Sequence, residues 1–518
     1  MTTFRRYTQN EGTLFFGAAL ICLAIIGTWI IYYATVWGVG FIDWDSFNYI
    51  AVARSLAQGR GFIYPTDPDT YAPLTNFPPM YPLVLSIFEL VNIDAVNGAR
   101  YLNALLFGLS SILVGITLKI ETSSSIFALL GSFLVITSST LVFFYSFALA
   151  EGLYIFFTLL GFLFLLFYIK TNKRYYLILS GLIIGMSIMT RYVGVANILT
   201  AGFALLVYKK RRFTHTLLDL GIFMILTFGP ILLWQSREIP VVADLDAAMQ
   251  PSGISGFDIN LIFQQNYRYI YLVIFHTLYS WYFPEKLYLG FEKEHLILAL
   301  AGFSALLGGM LIYGKKVKQD TAYGLKEIRN GHPTVFVYAS FFLAYFGLII
   351  GITMIGKVVI VERVFIPILL STTIIFVSVL SYLWQLECKY LRVLAGLVSV
   401  YLVLFSMWTF VEDVPTIHNQ GLGLGRKSFQ NNTSMQLLKE LSPDRTIYSN
   451  YPWALYLHTG EIGYRLNKFS PEKGQKEDAI VAIFSYESVS NPEFAAKYSE
   501  KLELLESDRH IDVYLFKP

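Results

Sequence analysis

Long apolar stretches alternate with short polar segments through most of the chain, which is the pattern of a protein that crosses a membrane many times. A helix needs about 20 predominantly apolar residues to cross the hydrocarbon core of a bilayer. Eleven stretches approach that length, beginning with Leu14–Val36 after a short basic N-terminus. The other ten predicted spans are Ala99–Leu118, Ser125–Phe147, Gly152–Tyr168, Tyr175–Thr190, Val193–Val207, Leu217–Trp234, Leu296–Tyr313, Val335–Ile355, Phe365–Trp384 and Val393–Phe410.

The last part of the chain has a different pattern, in which short apolar runs are separated by polar segments. The runs Thr446–Tyr448, Ala479–Phe484 and Ile511–Phe516 are typical of strands, and helical patterns lie between them. About 100 residues suffice for a small α/β domain. The predicted fold class is therefore a polytopic α-helical membrane protein with about 11 transmembrane helices in residues 1–411, followed by a small α/β domain in residues 412–518.

Composition agrees with this fold class and limits the partners. Hydrophobic residues make up 55% of the chain and charged residues 14%, whereas soluble domains carry about 25% charged residues. The net charge of +3 is too small to indicate a nucleic-acid partner. Membrane lipids are therefore the expected surroundings of most of the chain.

Basic residues collect in alternate loops, and this asymmetry predicts the orientation in the membrane. Cytoplasmic loops carry an excess of lysine and arginine. The chain is thus predicted to lie in the plasma (inner) membrane with a cytoplasmic N-terminus and an extracytoplasmic C-terminal domain. Two long loops, residues 38–98 and 235–295, then lie outside, and loops of this length are usually functional or disordered. The predicted cytoplasmic basic residues are Arg5, Arg6, Lys119, Lys170, Lys173, Arg174, Lys209, Lys210, Arg211, Arg212, Lys315, Lys316, Lys318, Lys389 and Arg392.

Acidic residues stand where predicted spans reach the outer face. Asp43 and Asp45 follow the first span, and Glu151 separates the third span from the fourth. Carboxylates beside the bilayer are costly to desolvate and usually serve chemistry or ion binding. They could act as a general base on a hydroxyl or hold a divalent cation. The structural alternatives are that an Asp or Ser of this segment is the N-cap of a helix over Phe47–Ala57 and that Glu151 lies in a solvated turn.

Three basic residues lie on the side that the orientation rule disfavours. Arg191 ends the fifth predicted span, and Lys357 and Arg363 lie in the turn before the tenth. Guanidinium and ammonium groups at the outer leaflet can bind a phosphate. The structural alternative is that each side chain extends to lipid headgroups, which is the commoner fate of arginine at a helix end.

Five segments, in their order along the chain, resemble the motifs of one enzyme superfamily. They are an acidic first-loop helix, a Pro-Pro-x-Tyr-Pro element, a second acidic site, a Gly-x-x-x-Gly stretch ending in Arg-x-x-Gly, and an arginine turn before a proline. With these segments the chain resembles the GT-C superfamily of membrane glycosyltransferases, in the branch of protein mannosyltransferases and lipid A aminoarabinose transferases. The segments are Asp45–Ala53, Phe77–Pro82, Ala150–Tyr154, Gly181–Gly194 and Glu362–Pro367.

The resemblance implies transfer of a sugar from a polyprenyl-phosphate-linked donor to an acceptor hydroxyl on a lipid, glycan or protein. Asp45 would be the general base of a single inverting displacement at the anomeric carbon. Glu151 would orient the acceptor or share a metal with Asp45 and Asp43. The candidate ion is Mg or Mn, and the need for a metal differs among branches of the superfamily.

The resemblance also implies which residues contact the substrates. Arg191, Lys357 and Arg363 would neutralise the departing phosphate. Tyr49, Tyr81 and Tyr192, in or beside the motifs, are the candidate substrate contacts. The chain departs from the superfamily pattern in the Asp43-x-Asp45 spacing, in lacking a glutamate after Asp45, and in placing Val364 between Arg363 and the next aromatic residue. These departures leave the acceptor and the metal open.

Two other classes of protein compete with this interpretation. A polysaccharide polymerase or ligase would use a lipid-diphosphate donor and a large outer loop with arginine and histidine, which Arg237, Arg268 and His276 could supply. A lipid or solute transporter would need charged residues near the middle of the bilayer and broken helices. The sequence shows charges at the predicted outer rim instead.

Overall fold

The computed structural model describes residues 2–208, 213–237, 332–354, 362–442, 444–476, 478–485 and 492–517. The predicted span Leu296–Tyr313, nearly all of the loop 235–295, and the candidates Lys357, Arg268 and His276 lie outside these residues. The basic residues Lys209–Arg212, Lys315, Lys316 and Lys318 also lie outside them. The fold below concerns the described part of the chain.

A helix lies at every predicted span within the described residues. Seven of these described helices are long and apolar enough to cross a membrane, and a bent pair meets the same criterion when its two helices are taken together. Two shorter apolar helices occupy the fifth and sixth predicted spans. The helices of the bundle are α1 (Thr2–Ala34), α4 (Ala95–Thr122), α5 (Ser125–Ile136), α6 (Ser139–Tyr145), α7 (Glu151–Thr171), α8 (Arg174–Thr190), α9 (Val195–Val207), α10 (Phe213–Gln235), α11 (Pro333–Met354), α12 (Ile366–Gln385) and α13 (Lys389–Gln420).

The third predicted span is not one helix. The helices α5 and α6 meet at an angle of 54°, because Ser138 leaves the helical conformation and caps α6 by accepting a hydrogen bond from the amide of Leu141 at 3.4 Å. Serine and threonine are tolerated in apolar helices, so the apolar run alone gives no sign of this break. The bend carries the chain from α6 toward the loop that precedes Glu151.

The first loop folds into short elements at the end of the bundle that carries Asp45 and Glu151, called the site end below. The helix α2 (Asp43–Ala57) lies nearest the bundle. It is followed by an antiparallel hairpin of β1 (Ile63–Asp67) and β2 (Thr70–Pro73), and then by α3 (Met80–Leu90).

The C-terminal domain contains a five-stranded mixed sheet in the order β4-β3-β5-β7-β6. The strand β3 is parallel to β4 and β5, while β7 is antiparallel to β5 and β6. The predicted boundary at residue 411 falls inside α13, which continues to Gln420. The elements of the domain are α14 (Lys427–Gln430), α15 (Thr433–Leu441), β3 (Ile447–Ser449), α16 (Pro452–Thr459), β4 (Tyr464–Arg465), α17 (Pro471–Lys476), β5 (Ile480–Phe484), α18 (Pro492–Lys497), β6 (Leu502–Ser507) and β7 (Ile511–Phe516).

The C-terminal domain packs on the first loop at the site end. Arg54 of α2 donates to the backbone oxygen of Tyr456 at 3.3 Å and to the carboxylate of Asp94 at 2.7 Å. Lys468 pairs with the buried Asp67 of the hairpin at 2.6 Å. These contacts join the domain to the helix that carries Asp45.

His458 makes the docking of the domain sensitive to acid. Its Nε2 atom lies 2.8 Å from the carbonyl oxygen of Leu424, to which a neutral imidazole donates, and its ring stacks on Phe429 with centroids 6.0 Å apart. Burial, aided by the charge of Lys439, lowers the pKa of His458 to about 4 from its ordinary 6.5. The unfolded chain therefore binds this proton first as the pH falls.

We expect this histidine to remove stability between pH 6.5 and pH 4. A group whose pKa is lowered on folding contributes fully above its unfolded pKa, and its contribution falls by about 1.4 kcal/mol per pH unit below it. The measurement is the unfolding midpoint in detergent across this range. His458→Gln cannot take up a proton and should show the shallower profile, whereas parallel profiles would contradict the assignment.

Candidate active site

Backbone hydrogen bonds bring the two acidic segments together. The amide of Gly40 donates to Ser146 and the amide of Ala148 donates to Gly40, both at 2.8 Å. The hydroxyl of Ser46, one residue after Asp45, donates to the carbonyl of Ala148 at 3.1 Å. The start of α2 is therefore fixed against the loop that ends at Glu151.

The Pro-Pro-x-Tyr-Pro element contacts the same loop through the side chain of Asn103. Tyr81 is fully buried, and its hydroxyl lies 3.5 Å from the side-chain oxygen of Asn103. The amide of Asn103 in turn donates to the carbonyls of Tyr145 at 3.0 Å and Phe147 at 2.6 Å. In the structure Tyr81 thus acts through Asn103 on the loop before Glu151, and its ring also packs on Tyr49 with centroids 5.1 Å apart.

Arg191 is placed by a tight turn between α8 and α9. The helix α8 ends at Thr190, and the amide of Gly194 closes the next turn on the carbonyl of Arg191 at 2.9 Å. A Cβ atom on Gly194 would lie 2.9 Å from the Cα of Ile188. The glycine of the Arg-x-x-Gly pattern is therefore needed for this close approach.

The two acids each meet an arginine at the site end. Asp45 Oδ2 lies 2.6 Å from Arg363 Nη2, and Glu151 forms an ion pair with Arg191. The Glu151 side chain is only 3% exposed, whereas that of Asp45 is 22% exposed. An entering hydroxyl can therefore reach Asp45 more readily than Glu151.

Tyr49 lies among these four charged groups. Burial, followed by the negative charges of Asp45 and Glu151, raises the pKa of Tyr49 well above its ordinary value. The phenol is thus neutral at physiological pH and can donate a hydrogen bond. Burial by itself would lower the pKa of Arg191. The negative charge of Glu151 has the larger effect in the opposite direction, so the pKa of Arg191 is raised.

One guanidinium nitrogen in the site has no hydrogen-bond partner within the part of the chain that the structure describes. Arg363 Nη2 contacts Asp45, but its buried Nη1 has no hydrogen-bond partner among the described residues. Buried N–H groups are normally paired. This nitrogen, at the same end of the bundle as a second arginine, is suited to donate a hydrogen bond to an anionic oxygen such as that of a phosphate.

The structure places the remaining predicted residues as follows. Asp43 is the first residue of α2. The Tyr192 hydroxyl lies 3.3 Å from both Trp234 Nε1 and Gln235 Nε2, from which it accepts. Arg237, considered for a polymerase, packs over Trp234 and donates to the Leu74 carbonyl. Tyr192 and Arg237 thus have partners at the end of α10.

The side chains of the site that the structure describes do not form a metal-binding set. Within the described part of the chain, no three histidine, cysteine, aspartate or glutamate side chains lie together where they could hold an ion. Asp45 and Glu151, two of the three candidate ligands, are each neutralised by an arginine. The side chain of Asp43 lies outside the described residues. The hypothesis of Mg or Mn held by Asp43, Asp45 and Glu151 therefore stays a prediction, and no step below uses a metal.

Sequence reasoning missed three residues that shape the site. Ser46, Asn103 and Tyr345 are polar residues inside or beside apolar helices, and all three hydrogen-bond a backbone carbonyl of the site segments. A polar residue in an apolar run is a weak signal, because many such residues bond within their own helix.

Comparison with known proteins identifies related folds. Residues 69–235 match the family described as Dolichyl-phosphate-mannose-protein mannosyltransferase. No curated protein matches the chain. The structure of ArnT from Cupriavidus metallidurans bound to undecaprenyl phosphate aligns over 97% of this chain and 98% of its own, with a TM-score of 0.54 and 10% identity.

A second solved structure is an oligosaccharyltransferase. AglB from Archaeoglobus fulgidus, in complex with an inhibitory peptide and a dolichol-phosphate, aligns over 89% of this chain and 65% of its own length, with a TM-score of 0.50 and 12% identity. At these identities the solved structures establish the fold. Together with the family match, they confirm the predicted resemblance to the GT-C superfamily, the multi-pass membrane fold, and the glycosyltransferase class.

Proposed function

We propose that this GT-C-type membrane glycosyltransferase transfers a sugar from a polyprenyl-phosphate-linked donor to an acceptor hydroxyl on a lipid, glycan or protein. The observation that carries the proposal is the meeting of Asp45 and Glu151 with Arg363 and Arg191 at one end of the bundle. A membrane-surface site suits an amphipathic donor, which enters from the bilayer while the acceptor comes from water. The ArnT structure has undecaprenyl phosphate bound and the AglB structure contains a dolichol-phosphate, and both lipids support this donor class.

Asp45 is the proposed general base. It removes the proton of the acceptor hydroxyl as the oxygen attacks the anomeric carbon, and the bond from that carbon to the phosphate oxygen breaks. The electron pair leaves with the polyprenyl phosphate, which gains one negative charge. A single displacement of this kind inverts the anomeric configuration.

The arginines serve the leaving group. Cationic groups fixed where charge develops lower the barrier, because they need no reorganisation during the reaction. Arg363 offers its Nη1, which none of the described residues pairs with, and Arg191 is held by Glu151, whose carboxylate keeps it charged and in place. Lys357 remains a proposed third cation outside the described residues.

The ion pair between Asp45 and Arg363 also suggests an order of events. While Asp45 is paired with Arg363, one of its carboxylate oxygens is occupied and is less accessible to an acceptor hydroxyl. A donor phosphate on Arg363 would take over part of this pairing and free the carboxylate for the acceptor. Donor binding before acceptor binding follows from this exchange.

The proposed orientation places the site outside the cytoplasm. The basic loops predict a cytoplasmic N-terminus in the plasma (inner) membrane, and an external site would share its compartment with the C-terminal domain. The test of this orientation introduces Arg509→Cys, at an exposed position, into a chain without other cysteines. Intact cells and inverted vesicles are then treated with a membrane-impermeant thiol reagent. Labelling confined to inverted vesicles would contradict the orientation.

The phosphate-binding role of Arg363 gives a direct test of the proposal. Arg363→Gln should weaken the binding of polyprenyl phosphate about 10- to 100-fold, because a hydrogen bond to a charged group contributes about 1.5–3 kcal/mol. The measurement is equilibrium binding of polyprenyl phosphate to the protein in lipid nanodiscs. Arg509→Gln, on the exposed surface of the C-terminal domain, is the control; equal affinities of both variants would contradict the role.

A further inference from the structure

The turn that carries Arg363 is held by a residue from another helix. The turn spans Glu362–Phe365 and directly precedes α12. The hydroxyl of Tyr345, in α11, donates to the carbonyl oxygen of Val364 at 2.8 Å. Arg363 is therefore one residue away from a backbone group that is fixed by a side chain of α11.

Tyr345 is itself firmly placed. Its side chain is fully buried, and its ring packs against Phe341 and Tyr154 with centroid distances of 5.4 Å and 6.4 Å. Tyrosine buried in this way usually uses its hydroxyl for one directed hydrogen bond. A ring held by packing on two neighbours, combined with one directed hydrogen bond, restricts the movement of the turn at Val364.

Tyr345 also lies near the other ion pair. It is close enough to Arg191 and Glu151 for their charges to act on its phenol. The same side chain thus lies near Arg191, in the turn after α8, and holds the turn of Arg363 before α12. Its position is suited to setting the separation of the two guanidinium groups.

We propose that Tyr345 is a positioning residue that fixes the Arg363 turn, so that both arginines are set for one phosphate group. The geometric part of this inference stands on the hydrogen bond and the burial. The kinetic part rests on the proposed function. Without the Tyr345 hydroxyl, the turn loses its hydrogen bond to α11. The donor must then order the Arg363 side chain when it binds.

The kinetic test compares Tyr345→Phe with the wild type in the intact membrane protein. The KM for the polyprenyl-phosphate sugar should rise about 3- to 10-fold, the range of one net hydrogen bond, while the KM for the acceptor stays the same. Tyr338→Phe is the matched control, since Tyr338 is an equally buried phenol on α11, beside Thr117 and about 10 Å further along the helix. An equal rise in the donor KM in both variants, or no rise in either variant, would overturn the assignment.

A second measurement does not depend on the reaction. In a chain with Cys22→Ser and Cys388→Ser, cysteines replace Asp45 and Arg363, and a short bifunctional thiol reagent joins them. Adding Tyr345→Phe should lower the rate of cross-linking several-fold, whereas adding Tyr338→Phe should not change it. Equal cross-linking rates in all three chains would overturn the positioning role, even if the wild-type protein transfers sugar.

The two measurements separate the failure of this inference from the failure of the proposed function. If the wild type transfers no sugar but the cross-linking rate falls with Tyr345→Phe, the turn is fixed as proposed and the donor class is wrong. If transfer occurs and neither the donor KM nor the cross-linking rate responds, the function stands and Tyr345 is only a core residue.

Discussion

Asp45→Asn is expected to lower turnover about 10²- to 10⁴-fold, the usual contribution of a general base. Asparagine keeps the size and the hydrogen bond to Arg363 but cannot take up the proton of the acceptor. Donor affinity should be unchanged or higher, because the variant removes a carboxylate that competes with the phosphate for Arg363. The measurement is kcat together with the equilibrium binding of the donor.

The control for this variant is Asp69→Asn. Asp69 lies in the same loop between α1 and α4, but its partner is the hydroxyl of Tyr464 in the C-terminal domain. It should therefore leave kcat within about twofold of the wild type, as expected for a surface substitution away from the site. Full turnover in Asp45→Asn would remove Asp45 from the mechanism.

The second large effect is expected at the ion pair of Glu151 and Arg191. Removing one partner of a buried pair leaves an uncompensated charge and costs about 3–5 kcal/mol, while replacing both by apolar residues is often neutral. Arg191→Met should therefore destabilise the protein strongly, because Glu151 is 3% exposed. The double variant with Glu151→Met should regain most of the stability, as measured by the unfolding midpoint in detergent.

Activity should not return with stability in the double variant. Both groups belong to the proposed site, so their loss removes a leaving-group cation and the carboxylate that holds it. A double variant that is stable and inactive separates the structural role of the pair from its catalytic role. Recovery of normal turnover in the double variant would show that the pair serves only to stabilise the fold.

The helices could be predicted well because long apolar runs have few alternatives in a membrane. The short spans Tyr175–Thr190 and Val193–Val207 are helices as well, and their predicted junction at Arg191 is correct. The break between α5 and α6 could not be foreseen. It depends on Ser138 acting as a cap, and the sequence does not distinguish that from a serine bonded within a helix.

The sequence predicts the candidate site as a group of residues but not as a geometry. The alternation of loops places Asp45, Glu151, Arg191 and Arg363 on one side, and the structure brings them together in pairs. Which acid meets which arginine depends on the packing of α2, α7 and α8 and on the turn before α12. Tyr345 lies in an apolar span, where the sequence gives no means to distinguish a positioning tyrosine from a core tyrosine.

The most direct test of the account is the release of free polyprenyl phosphate from a polyprenyl-phosphate sugar by the purified protein. The assay uses a membrane extract as acceptor, several sugars, and the wild type beside Asp45→Asn. The account predicts that the wild type releases polyprenyl phosphate with one of the sugars and that Asp45→Asn loses this release. Absence of release from the wild type with every sugar would contradict it and would direct attention to a lipid-diphosphate donor or to transport.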